Sequence, residues 1–131
     1  MRRCPTRWPA LLAALAASAL AACAHLQEGQ ALVVTATAYN STPAQTRGDP
    51  HGGAWGDRLE PGMRAIAVSQ DLLALGVGRG TRVEIDGLPG RYEVLDTMPS
   101  RWRRAIDIYM GEDVAAALRW GRREVTIRWA R

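Results

Sequence analysis

Between residues 31 and 129 the chain alternates short runs of β-branched and apolar residues with Gly- and Pro-rich breaks, a pattern that predicts strands. Ala31 to Tyr39 reads as the first strand, and residues 40–56 as a long loop of the kind that often carries function. Arg64 to Ser69 reads as a second strand, followed by a single helical turn over Gln70 to Leu75. Gly76, Gly78 and Gly80 break the pattern before a third strand, Thr81 to Ile85. Asp86-Gly87-Leu88-Pro89-Gly90 is turn chemistry, which makes Asp86 structural. Arg91 to Leu95 and Ala105 to Met110 supply two more strands. A helix then opens at Gly111-Glu112-Asp113, with acids in its first turn, and stops at Gly121. Glu124 to Trp129 alternates cleanly as the last strand, turning Trp129 inward, while Trp120 falls on the apolar side of the helix. Six short strands and one proper helix predict a mainly β protein built as a small barrel.

The first residues follow another pattern. Arg2, Arg3 and Arg7 precede an Ala/Leu stretch from Pro9 to Ala22, too short to span a bilayer and suited to a signal peptide. It ends in Leu20-Ala21-Ala22-Cys23, which resembles the lipobox of bacterial lipoproteins. That resemblance implies a signal peptide over 1–22, cleavage before Cys23, and acylation of the cysteine. Ala24 in the next position resembles lipoproteins delivered to the outer membrane, which implies a lipid anchor on its periplasmic face. Residues 23–30 are then a tether and 31–131 the single domain. Cys4 leaves with the signal peptide and Cys23 carries lipid, so neither a disulfide nor a cysteine-based metal site is expected.

Charge changes little. Three of the seventeen basic residues, all arginine, lie in the signal segment, and the remaining fourteen face thirteen acids. No basic helix or RNA-binding aromatic motif accompanies them, which argues against nucleic acid as a partner.

The informative residues are two aspartates in strand-like surroundings. Asp107 interrupts Ala105-Ile106-Asp107-Ile108-Tyr109-Met110, although aspartate is depleted inside strands. Asp96 ends the run Arg91-Tyr92-Glu93-Val94-Leu95. Paired as a hairpin, the two runs would place both carboxylates at its loop end, under residues 97–104. Two carboxylates at one site, one held protonated, are the minimum for acid/base work on a glycosidic bond. The structural alternative is an Asx-turn for Asp96 with Thr97 and an arginine partner for Asp107.

Taken in order, Thr35-Ala36-Thr37-Ala38-Tyr39, Trp55-Gly56-Asp57, Ala65-Ile66-Ala67-Val68, Leu95-Asp96, Ile106-Asp107-Ile108-Tyr109-Met110-Gly111 and Gly121-Arg122-Arg123-Glu124-Val125 resemble the 3D domain. This family, named for three aspartates, includes the membrane-bound lytic transglycosylase A and small cell-wall-lytic proteins. The resemblance covers residues 31–131 and implies a six-stranded double-psi β-barrel with one helix before the last strand. It implies Asp107 as catalytic aspartate and Asp96 as its support. The chain departs from the family pattern at Ser69, where many members have aspartate, and at Met98-Pro99, where many have two glycines.

The implied substrate is the peptidoglycan glycan strand. Protonated Asp107 would donate to the glycosidic oxygen, then take a proton from the 6-hydroxyl of the muramic acid as that hydroxyl attacks, giving a 1,6-anhydro sugar. Asp96 would raise the pKa of Asp107 by like-charge repulsion. Tyr39, Trp55, Asp57, Ser69, Arg101 and Trp102 are the expected substrate contacts, with Trp102 either a sugar platform or folded back onto the barrel. No cofactor and no metal are expected; His51 is the only histidine within the domain of residues 31–131, with no second one there to share a metal. The competing reading is a non-catalytic peptidoglycan-binding lipoprotein.

Overall fold

A computed structural model describes residues 29–42, 49 and 51–131. The expected signal peptide, Cys23 and most of the tether lie outside the described residues, as does part of the long loop. The elements run β1 (Gly29–Tyr39), β2 (Ala65–Val68), α1 (Gln70–Ala74), β3 (Arg82–Ile85), β4 (Arg91–Thr97), β5 (Ala105–Tyr109), α2 (Val114–Trp120) and β6 (Arg123–Ala130). The six strands close into a mixed barrel in the order β1-β5-β2-β4-β3-β6. The mainly β architecture with a helix before the last strand is therefore as the pattern predicts. β1 starts at Gly29 rather than Ala31, because Gly29 and Gln30 pair with Ala130 and Trp129 of β6.

The hairpin between the two aspartate-bearing runs does not form. β2 lies between β4 and β5, parallel to the first and antiparallel to the second. Ala65-Ile66-Ala67-Val68 is buried at every residue, as suits a strand with a partner on each edge and a covered outer face. The loop from Met98 to Arg104 therefore crosses over the end of β2 instead of closing a hairpin.

Period-two alternation decides what faces inward. Val34 and Ala36 of β1, Ile66 and Val68 of β2, Val94 of β4, Ile106 and Ile108 of β5, and Ile127 of β6 fill the barrel core. Trp120 and Trp129 join them, as the sequence indicates, and the Trp120 indole donates to the carbonyl of Ala36 at 3.3 Å. That bond seats α2 on β1. The helix begins at Asp113, whose side chain accepts the Ala116 amide at 2.9 Å, and ends at Gly121 with φ 66°.

Candidate active site

The outward residues of β1, β5, β2 and β4 form a row across four strands. Thr37 pairs with Asp107, Asp107 with Ala67, and Ala67 with Asp96. Laterally paired residues point to the same side of a sheet, so the two carboxylates share the outer face with one methyl group between them. A β-bulge makes this possible. Ile66 pairs with Val94 but Ala67 pairs with Asp96, so Leu95 is the extra residue on β4. Without the bulge Leu95 would stand opposite Ala67 and Asp96 would turn away.

Apolar groups enclose the row on both sides. On one side Leu59, Ala65, Leu95 and Tyr109 pack together; on the other are Ala67, Met98 and Ala105 with Trp102; Tyr39 touches both groups. The Tyr39 and Tyr109 rings lie 5.5 Å apart, and the Tyr109 hydroxyl donates to Ser41 at 2.8 Å. This packing strips water from the acids. Asp107 accepts one bond, from the Thr37 hydroxyl to Oδ1 at 2.9 Å, and none of the ion pairs among the described residues involves it. Burial pushes its carboxyl up to about 6; the Thr37 bond opposes the rise and the Asp96 charge adds to it. Burial is thus the main lever, and the like-charge repulsion expected from the sequence is secondary.

Asp96 is held differently. Its Oδ1 accepts the amides of Thr97 and Ala54, each at 2.8 Å. Burial raises its pKa as well, against the pull of these donors and of the nearby Tyr39 phenol. The Tyr39 hydroxyl is closed off from water and close enough to feel both aspartates, although its approach to Asp96 falls short of full hydrogen-bond geometry. Burial, Asp96 and Asp107 together move its ionisation far above the ordinary phenol range. Asp96 does bond to Thr97, but through the amide of the very next residue within β4 and not as an Asx-turn; the arginine partner anticipated for Asp107 is absent among the described residues.

The long loop reaches this site through its backbone. Gly53 donates to the carbonyl of Asp57 at 2.7 Å and crosses β4 so closely that a Cβ there would collide with the carbonyl of Leu95. Glycine at 53 is what lets the Ala54 amide reach Asp96. Trp55, next in the chain, is 37% exposed and so remains open to a ligand. His51 is tied into the same loop by its ring nitrogen, 3.1 Å from the carbonyl of Leu59. No cluster of metal-ligating side chains occurs among the described residues.

Two expected contacts are engaged by partners within the protein. The Asp57 carboxylate is clasped by Arg79 through Nε and Nη2 at 2.8 and 2.7 Å. Ser69 has no exposed surface: its hydroxyl accepts the Ala105 amide at 3.0 Å while its own amide donates to the Ala105 carbonyl. Ser69 joins the end of β2 to the start of β5, and its hydroxyl is engaged in that tie. Trp102 folds back onto Ala67, Met98 and Ala105, half-buried, with the Arg122 guanidinium 5.3 Å over its ring. Arg101 is exposed and forms no ion pair among the described residues.

Thr37, Ala54, Arg79 and Arg122 are the residues that sequence reasoning missed. Thr37 was within reach, because alternation places Thr35, Thr37 and Tyr39 on one face of β1. The other three depend on loop paths that no local pattern encodes.

Comparison with known proteins gives no matching family model and no matching curated protein. The likeness to the 3D domain accordingly rests on the motifs quoted above and on the closed six-stranded barrel, whose strand order is compatible with a double-psi barrel.

Proposed function

We propose that this protein is a peptidoglycan-acting, lytic-transglycosylase-like enzyme in which Asp107 is the general acid/base and Asp96 its partner. The observation that carries the reading is the half-buried Asp107 carboxyl, in no ion pair among the described residues, raised to about 6 and one residue across from a second carboxylate. A carboxyl titrating there is protonated often enough to donate near neutral pH and basic enough to take a proton back. In the proposed reaction it protonates the glycosidic oxygen and then deprotonates the muramic acid 6-hydroxyl, which closes the 1,6-anhydro ring. This route needs no second, water-activating carboxylate, unlike hydrolysis. Tyr39 lies beside both acids, Trp55 is exposed one residue after the Ala54 amide that binds Asp96, and Trp102 packs on Ala67. In the proposed reading these rings border the glycan, and Arg101 and Arg122 supply charge for its carboxylates. The barrel is proposed to be a double-psi barrel of the 3D-domain kind, anchored through Cys23 to the outer membrane.

A second reading, a non-catalytic glycan-binding lipoprotein, has one observation in its favour. Met98 is buried against Ala67 where many 3D domains have glycine, so the turn after Asp96 is filled by a side chain. The deciding experiment incubates a soluble form lacking residues 1–23 with purified sacculi. Release of anhydro-muropeptides by the native protein and not by Asp107→Asn supports the enzyme; retention on sacculi without release supports the binder.

A further inference from the structure

We propose that Thr37 is the positioning residue of the acid pair: by occupying Oδ1 of Asp107 it leaves Oδ2 as the oxygen that gives up and regains the proton. The proposal rests on the acid/base reading of Asp107 but makes its own claim about which carboxyl oxygen reacts.

The geometry begins with register. Thr37 is the direct cross-strand partner of Asp107 on β1, so the two side chains rise side by side from adjacent strands. Threonine branches at Cβ, which restricts its hydroxyl to few orientations. Here the hydroxyl lies 2.9 Å from Asp107 Oδ1 and 3.4 Å from the carbonyl of Ile106, so the carboxyl is its shorter and better partner. A bond to one oxygen of a carboxyl group also stops the group from turning about its Cβ–Cγ axis. With Oδ1 satisfied, a proton on the acid resides on Oδ2. It leaves Oδ2 for the glycosidic oxygen and returns to Oδ2 from the attacking hydroxyl. Thr37 keeps its own proton and donates to Oδ1 throughout, so neither half of the cycle requires it to rearrange.

The other groups around Asp107 leave this task to Thr37. β2 presents only the methyl of Ala67, and β4 presents Asp96, itself an acceptor already bonded to Thr97 and Ala54. Tyr39 of β1 lies towards Asp96, and Tyr109 on the same strand as Asp107 donates to Ser41. Thr37 is the one side-chain donor that the described residues give Asp107.

The test is a titration of the Asp107 carboxyl, followed by carbon-13 NMR in the full-length chain solubilised in detergent. It compares the native protein with Thr37→Val, which keeps the shape and loses the hydroxyl, and with Thr37→Ser, which keeps the hydroxyl. A hydrogen bond is stronger to the ionised than to the neutral carboxyl, so Thr37→Val should move the midpoint upward by about one pH unit. Thr37→Ser should return it close to the native value, and the Asp96 midpoint should move far less than that of Asp107 in either variant. An unchanged or lowered Asp107 midpoint in Thr37→Val, or a Thr37→Ser variant that behaves like Thr37→Val, overturns the proposal. The titration uses no glycan. An inactive protein with the expected shifts would sink the lytic reading and leave the placement of Thr37 standing.

Discussion

Asp96 and Asp107 stand on opposite sides of Ala67, one as its parallel partner on β4 and the other as its antiparallel partner on β5. They come from strands that do not pair with each other, and the strand between them contributes only a methyl group at that level. No ion pair among the described residues involves either carboxylate, and apolar neighbours desolvate both. Each receives different donors. Asp96 has two backbone amides fixed by the chain path; Asp107 has one hydroxyl, and its second oxygen takes no donor among the described residues.

The two acids should respond unequally to substitution. Asp107→Asn removes the titrating proton, so release of anhydro-muropeptides should fall by at least about a hundredfold. Asp96→Asn should cost less. It removes only the smaller upward push on Asp107, so the alkaline limb of the pH–rate profile should move slightly to lower pH. Rates and pH profiles on purified sacculi measure both effects, and an Asp107→Asn variant that digests at the native rate would remove the enzyme reading.

Stability should depend on pH in a direction set by the same burial. Asp107 titrates at about 6 in the fold against 3.8 for an ordinary aspartate, so the folded state holds the proton more tightly. Its contribution favours the fold most below about pH 4 and is lost as pH rises through 6; Asp96, also raised, acts in the same sense. Asp107→Asn should therefore stabilise the protein at neutral pH, by up to about 3 kcal/mol. Thermal melts at pH 4 and pH 7 should show a smaller difference in the variant than in the native protein. Identical pH dependence would mean that the carboxyl is not desolvated.

Gly53→Ala should disturb the site from outside the barrel. The added methyl would meet the Leu95 carbonyl, forcing the loop off β4 and withdrawing the Ala54 amide from Asp96. A cost of about 1–3 kcal/mol is expected from the steric conflict. Because a donor to the charged form is lost, the Asp96 midpoint should rise. Urea unfolding and carboxyl titration measure the two consequences, and a native Asp96 midpoint would show that the loop contact does not matter.

Cys23→Ser tests the proposed anchor. Metabolic labelling with a fatty acid should mark the native chain and fail to mark the variant, and processing before residue 23 should slow. Normal membrane retention of the variant would remove the lipoprotein assignment.

The sequence by itself determined the six strands, the helix ahead of the last one, and the inward placing of Trp120 and Trp129, because period-two alternation and glycine breaks are local signals. It also marked Asp96 and Asp107, since a carboxylate inside an apolar strand is conspicuous wherever the strand goes. Tertiary structure decided who their neighbours are. The insertion of β2 between β4 and β5 replaced an expected hairpin, and one bulge at Leu95 turned Asp96 to the face of Asp107. It also assigned Ser69 to a backbone tie, Asp57 to Arg79, and the cation over Trp102 to Arg122, twenty residues along the chain. Local pattern cannot contain these outcomes, because closing a barrel brings together residues whose only relation is the register of strands remote in sequence. The burial that raises the Asp107 pKa is likewise a property of that closure and not of any residue beside it in the chain.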